Sequence, residues 1–273
     1  MTKESENTQE PIKVDTTVKP NTRVKPKAIY LMIFNKSKGV SPCFYIKMLL
    51  KSILVILSVV FVVILGTLSH EFGHYIMAKH LGYESSLNYA HTIYVDKHNV
   101  EFVKYSFDKY QNYINKGLSF PNSDKYYFLK NKYFRDGFLI TLNGILTTIV
   151  ISIIGLTIAV YSDKNDKRNI TYLGAFFCLF ILRQPCNFFI GLLNSLILDK
   201  PNHSDEIKLA SALHIPSLSL EFITSLLAIF MYHRLMNLKV FKNIIVFVSF
   251  HILFGGITGY YLWLYKFGHV LLP

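Results

Sequence analysis

Apolar residues along this chain gather into long blocks separated by basic, polar stretches, a pattern that predicts membrane-spanning helices joined by solvated loops. Between residues 52 and 69 the run SILVILSVVFVVILGTLS carries no charge and passes without proline into HEFGHYIMAKHLGY. One helix over about 49–79 would be roughly 46 Å long against a hydrocarbon core of about 30 Å, so HEFGH falls in its last membrane turns or just beyond them. Residues 83–136 are polar and rich in Tyr and Lys. They read as an extramembrane insertion in which HTIYVD is a candidate strand. Four more spans follow, at 137–161, 172–198, 216–236 and 243–265. The second is uncharged and the third is interrupted by Arg183-Gln184-Pro185-Cys186-Asn187. Glu221 and Arg234 cut into the fourth, while Gly255, Gly256 and Gly259 suit the fifth to close packing. The expected fold class is an all-α membrane protein of about five transmembrane helices. Its expected organisation is a polar basic tail (1–47), a first span with HEFGH (48–82), the insertion (83–136), and the remaining spans and loops (137–273).

Composition agrees: 51% of residues are hydrophobic, 15% aromatic, and the mean hydropathy is +0.32. Residues 1–27 lack an apolar core ahead of a small-residue cleavage site and are expected to be a disordered tail instead of a cleaved signal peptide. The short apolar run at 28–34 suits a membrane interface but cannot span. The net charge of +12 would admit a nucleic-acid partner if it lay on one face. The lysines are instead spread over the tail and loops, so the expected partners are anionic lipid headgroups of the bilayer, with no nucleic acid. Basic residues of the short loops favour a cytoplasmic N-terminus in a multi-pass protein of the cell membrane. Three cysteines, Cys43, Cys178 and Cys186, exclude a disulfide framework or a cysteine zinc cluster.

The candidate chemistry sits at the end of the first span. His70 and His74 are one helical turn apart, so both imidazoles can reach one ion, and zinc suits such a pair. Glu71, beside the first histidine, points next to the metal and not at it, where it can take a proton from an activated water and return it to a leaving amine. Ionisable side chains against a bilayer are costly, which makes a functional role the default. A catalytic zinc needs a third protein ligand. The first span ends on one side of the membrane, the second returns and the third ends on the first side again. That order disfavours Asp163 and Asp166 and leaves Asp199, His203, Asp205 and Glu206. Asp205 is favoured, in the first turn of a helix DEIKLASALH with Ser204 as its N-cap. Asp199 is the main rival and His203 the next. In the blander reading, Asp205 only complements the helix dipole.

His70-Glu71-Phe72-Gly73-His74 at the end of an apolar helix, followed by Tyr75-Ile-Met-Ala-Lys-His-Leu-Gly82-Tyr83, resembles the H-E-x-G-H-x-x-x-A-x-x-x-G signature of the site-2 protease family of intramembrane zinc metalloproteases. The resemblance implies a three-helix catalytic core, a bound Zn2+, hydrolysis of a protein or peptide substrate in or near the membrane, and an aspartate from a later segment, which Asp205 or Asp199 matches by position. Asn143-Gly144-Ile145 stands where the family carries a Gly-Pro motif and resembles it in part.

Arg183 within an apolar run requires a partner, since an unpaired arginine there costs about 3 kcal/mol or more. With Gln184 and Asn187 it could hold substrate backbone or an oxyanion; the alternative is a buried pairing with Glu221. Asn143 could bond a ligand near zinc or serve as polar glue between helices. His251 reads as a satisfied interhelical histidine, and Tyr260, Tyr261, Trp263 and Tyr265 as an interfacial belt. A non-hydrolytic relative that binds or regulates membrane partners, and a transporter, are the competing function classes.

Overall fold

A computed structural model describes residues 42–198 and 204–272. The tail, the run at 28–34 and the rival ligands Asp199 and His203 lie outside the described residues. The chain divides into two compact units, Met1–Ile46 and Lys47–Pro273. The described part of the first is the opening of helix α1; the fold below is that of the second.

Helix α1, Pro42–His80, runs 39 residues. Its buried positions are Val59, Val62, Val63, Gly66, Thr67, His70, Glu71, Gly73, His74 and Ala78. They recur every three or four residues, so HEFGH continues the stripe with which the valines face the bundle, while Leu54, Leu57 and Phe61 point outward. The helix stops at Gly82, which takes φ +85°. There the Tyr83 N–H donates to the Ala78 carbonyl and the Gly82 N–H to that of Lys79, both at 3.0 Å. This is a Schellman ending, and Tyr83 completes it by packing on Ala78.

The reversal feeds a hairpin of β1, Glu84–Leu87, and β2, Thr92–Val95, antiparallel with Glu84 opposite Val95. Two bonds fix the hairpin over the end of α1. Thr92 Oγ1 donates to the Glu71 carbonyl at 2.7 Å, and Trp263 Nε1 donates to the Tyr89 carbonyl at 2.9 Å. Trp263 is thus buried at the hairpin and is not the lipid-facing belt residue expected from sequence. The strand foreseen in HTIYVD is β2. The rest of the insertion is helical: α2, Lys97–Asn115, and the first turns of α3, Ser123–Lys164.

Helix α3 buries Ile140, Gly144, Thr148, Ser152, Gly155 and Ala159 along one stripe. These mostly small residues admit α1 and the next helix to close range. That helix, α4, Arg168–Cys178, passes into a 3-10 stretch, Leu179–Leu182, and then α5, Arg183–Leu193. The interruption read from Arg183-Gln-Pro185 is therefore real. Pro185 has no N–H and is tolerated in the first turn of the new helix. A π turn, Asn194–Leu198, ends this segment. Helix α6, Asp205–Ala212, leads to α7, Ser219–Met236, then α8, Lys239–Lys242, α9, Ile245–Leu262, a second π turn, Trp263–Phe267, and α10, Gly268–Leu271.

Four helical segments among the described residues are long and apolar enough to cross a membrane: Tyr45–His80, Ser123–Lys164, Arg168–Leu196 and Ile245–Leu262. This is the architecture of an all-α membrane protein, with one span fewer than expected. The expected fourth span forms as α7, but Glu221 at its start and His233 and Arg234 at its end leave it less apolar than the others. On the far loop, Asp163 accepts from the Lys239 and Val240 N–H groups, and Asp166 pairs with Lys239. Both are tied up in α8, away from His70 and His74.

Candidate metal centre

His70 and His74 reach a common point from successive turns of α1, and Asp205 meets them from the first turn of α6. His70 Nε2 lies 2.9 Å from Asp205 Oδ2, His74 Nε2 lies 3.1 Å from the same oxygen, and the two nitrogens are 3.0 Å apart. Ligand atoms about 2.0–2.1 Å from a tetrahedral zinc would be separated by about 3.3 Å, so this triangle is close to one face of such a site.

The hydrogen bonds behind the rings show what the three atoms offer. His74 Nδ1 is 2.7 Å from the Ile140 carbonyl oxygen, which can only accept, so Nδ1 carries the hydrogen. Thr148 Oγ1 lies 3.3 Å from both His70 Nδ1 and the Gly144 carbonyl, and where it donates to that carbonyl it can accept from Nδ1. With the hydrogen on Nδ1, His74 Nε2 is the atom free to bind a metal or, with a second proton, to donate to Asp205 Oδ2. The residues present thus fit a metal with two nitrogen ligands and one oxygen ligand, backed by the carbonyl and hydroxyl contacts that metal-binding histidines use. Ligand-capable atoms of His70, Glu71 and His74 also all lie within 4.8 Å of one another.

Asp205 owes its place to local sequence. Ser204 caps α6 by accepting from the Ile207 N–H at 3.2 Å, and its hydroxyl donates to Glu221 Oε1 on α7. The cap foreseen at Ser204 is present, and Glu221 is what holds it. Burial works against the charge of Asp205, but its contacts with His70 and His74 hold the carboxyl well below the usual carboxylate range, so it is ionised as a ligand must be. Its other oxygen accepts from Lys208 Nζ at 3.0 Å. For the neighbouring Glu206, wholly buried, burial pushes the carboxyl up against the pull of Arg183.

Glu71 is 3% exposed and borders a cleft of about 210 Å³ together with His74, Asp205, Arg183, Lys208 and, from the hairpin, Ala90, His91, Thr92 and Tyr94. Arg183 Nη1 stands 3.5 Å from Glu71 Oε1 and Nη2 stands 3.8 Å from Asp205 Oδ2. Of the three side chains expected to meet substrate, Arg183 lines the cleft, whereas Asn143 and Asn187 lie outside its lining. Asn143 donates to the Gly73 carbonyl at 2.6 Å, the polar-glue role. Asn187 faces Glu206.

Sequence reading missed His91, Thr92 and Tyr94 on the cleft wall, because the hairpin's fold back over α1 leaves no periodic signal. Lys208 was detectable, being three residues beyond Asp205 on one helix face. The Ile140 carbonyl, a backbone group, has no signature at all.

In comparisons with known proteins, no family model, no curated protein and no solved structure matched this chain.

Proposed function

We propose that this chain is a membrane-embedded zinc metalloprotease of the site-2 protease type, hydrolysing peptide bonds of a membrane or membrane-proximal protein. The observation that carries the reading is the convergence of His70 Nε2, His74 Nε2 and Asp205 Oδ2 within 3.1 Å, beside the buried carboxylate of Glu71. His70, His74 and Asp205 would hold Zn2+, whose Lewis acidity makes water a nucleophile near neutral pH and polarises a carbonyl. Glu71 is the general base that accepts the proton of the attacking water. It then delivers that proton to the departing amine, so one carboxylate serves both halves of the reaction. The hairpin and Arg183 wall the cleft.

Replacing Glu71 by Gln separates catalysis from binding, because the amide keeps the shape and leaves the three ligands in place. Purified Glu71→Gln protein is expected to retain one zinc per chain. In membranes from cells making each form, new N-termini produced by the native protein should fall by at least about a hundredfold. Zinc-loaded Glu71→Gln protein that still generates those termini would sink the assignment. An unchanged set of termini with and without the native protein would favour the non-hydrolytic relative.

A further inference from the structure

We infer that Arg183 is the positioning residue of the centre, a single guanidinium that fixes the base Glu71 and the ligand Asp205 relative to one another; this rests on the metalloprotease reading above. Glu71 belongs to α1 and Asp205 to α6, and both carboxylates are largely withdrawn from solvent, with side chains 4% and 13% exposed. Two like charges so near each other drift apart unless something holds them. Arg183 addresses them with different nitrogens, Nη1 to Glu71 at 3.5 Å and Nη2 to Asp205 at 3.8 Å. The planar fork of arginine makes this a fixed spacing, which a single ammonium group cannot reproduce.

Arginine's own placement is equally determined. It opens α5 directly after the 3-10 stretch Leu179–Leu182. The following residue, Gln184, is fully buried and its carbonyl accepts from Ser225 Oγ of α7 at 3.2 Å. With Nη1 buried and without a hydrogen bond of its own among the described residues, and both terminal nitrogens within 3.8 Å of protein carboxylates, the guanidinium is suited to orienting the machinery through charge more than to following a substrate. The cost of an arginine in an apolar segment is then offset by two counter-charges.

The test uses full-length protein in lipid nanodiscs, comparing Arg183→Gln and Arg183→Lys with the native chain. Zinc release into a fluorescent chelator and the visible absorption of the Co2+-loaded protein are measured. Loss of a group that orients metal ligands costs about 10–100-fold in metal affinity, and Arg183→Gln is expected to release zinc faster by that factor with an altered Co2+ spectrum. Arg183→Lys restores the charge but not the fork and should fall between the two, still distinct from native in spectrum. An Arg183→Lys protein indistinguishable from native in both release and spectrum overturns the inference, and this holds even where Arg183→Gln does not fold. Native release and spectrum in Arg183→Gln overturn it as well, returning Arg183 to the role of substrate contact. Native protein that binds no stoichiometric zinc would instead remove the metalloprotease reading on which the inference rests.

Discussion

A Cβ on Gly144 would overlap the imidazole of His74, whereas one on Gly137, two turns earlier on the same helix, would meet nothing within 4 Å. His74 cannot yield without losing either the Ile140 carbonyl behind it or the shared point with His70 and Asp205. Gly144→Ala is therefore expected to weaken zinc retention about tenfold or more, as displacements of a fraction of an ångström do at such sites. Gly137→Ala should bind zinc like the native chain, and the two are compared by metal analysis after identical dialysis. Equal retention in both would show that the ring is not confined by α3. At this scale the sequence was legible where chemistry follows spacing along one helix, as in His70, Glu71 and His74. It was illegible where the partner is a backbone carbonyl or a hydroxyl many residues away, as with Ile140 and Thr148.

Helix α6 is short, eight residues, so its direction depends on how it begins. Ser204 both caps it and donates to Glu221, linking α7 to the turn that presents Asp205. Removing the hydroxyl in Ser204→Ala costs about 1 kcal/mol at the cap. The larger consequence is for binding, because Asp205 is the next residue. Zinc release should quicken several-fold in Ser204→Ala and return toward native in Ser204→Thr, which keeps the oxygen; release at the native rate in Ser204→Ala would mean that Asp205 is placed without the cap. The cap was readable from Ser-Asp-Glu ahead of an apolar helix, and the break before α5 from Arg183-Gln-Pro. The length of α3 was not, since its first turns carry the charges that mark an ordinary loop. Trp263 was misjudged for a related reason: aromatic residues at a span's end suit an interface, and the chain that covers this one arrives from β1 and β2.

For the molecule as a whole, the centre joins two parts of the chain that are far apart in sequence, the end of α1 and the start of α6. Counting the first three spans favoured Asp205 as the partner of His70 and His74, and the three side chains do meet. The one span counted in excess did no harm because α7 comes after the site. That topology also sets the largest consequence of metal removal. Without a cation, α6 is tied to α1 here only by imidazole–carboxylate contacts of 2.9 and 3.1 Å, at the point where the metal would clamp the two helices. A ligand present at a thousand times its dissociation constant stabilises by about 4 kcal/mol, or on the order of 10 °C in melting temperature for a chain of this size. Chelation should lower the melting temperature of the purified protein by that order, and added zinc should restore it. In Asp205→Ala the proposed third ligand disappears, so the melting temperature should respond little to chelator or zinc. A zinc-dependent rise as large in Asp205→Ala as in the native protein would place the third ligand elsewhere, whereas loss of that rise together with intact folding ties the clamp to α6.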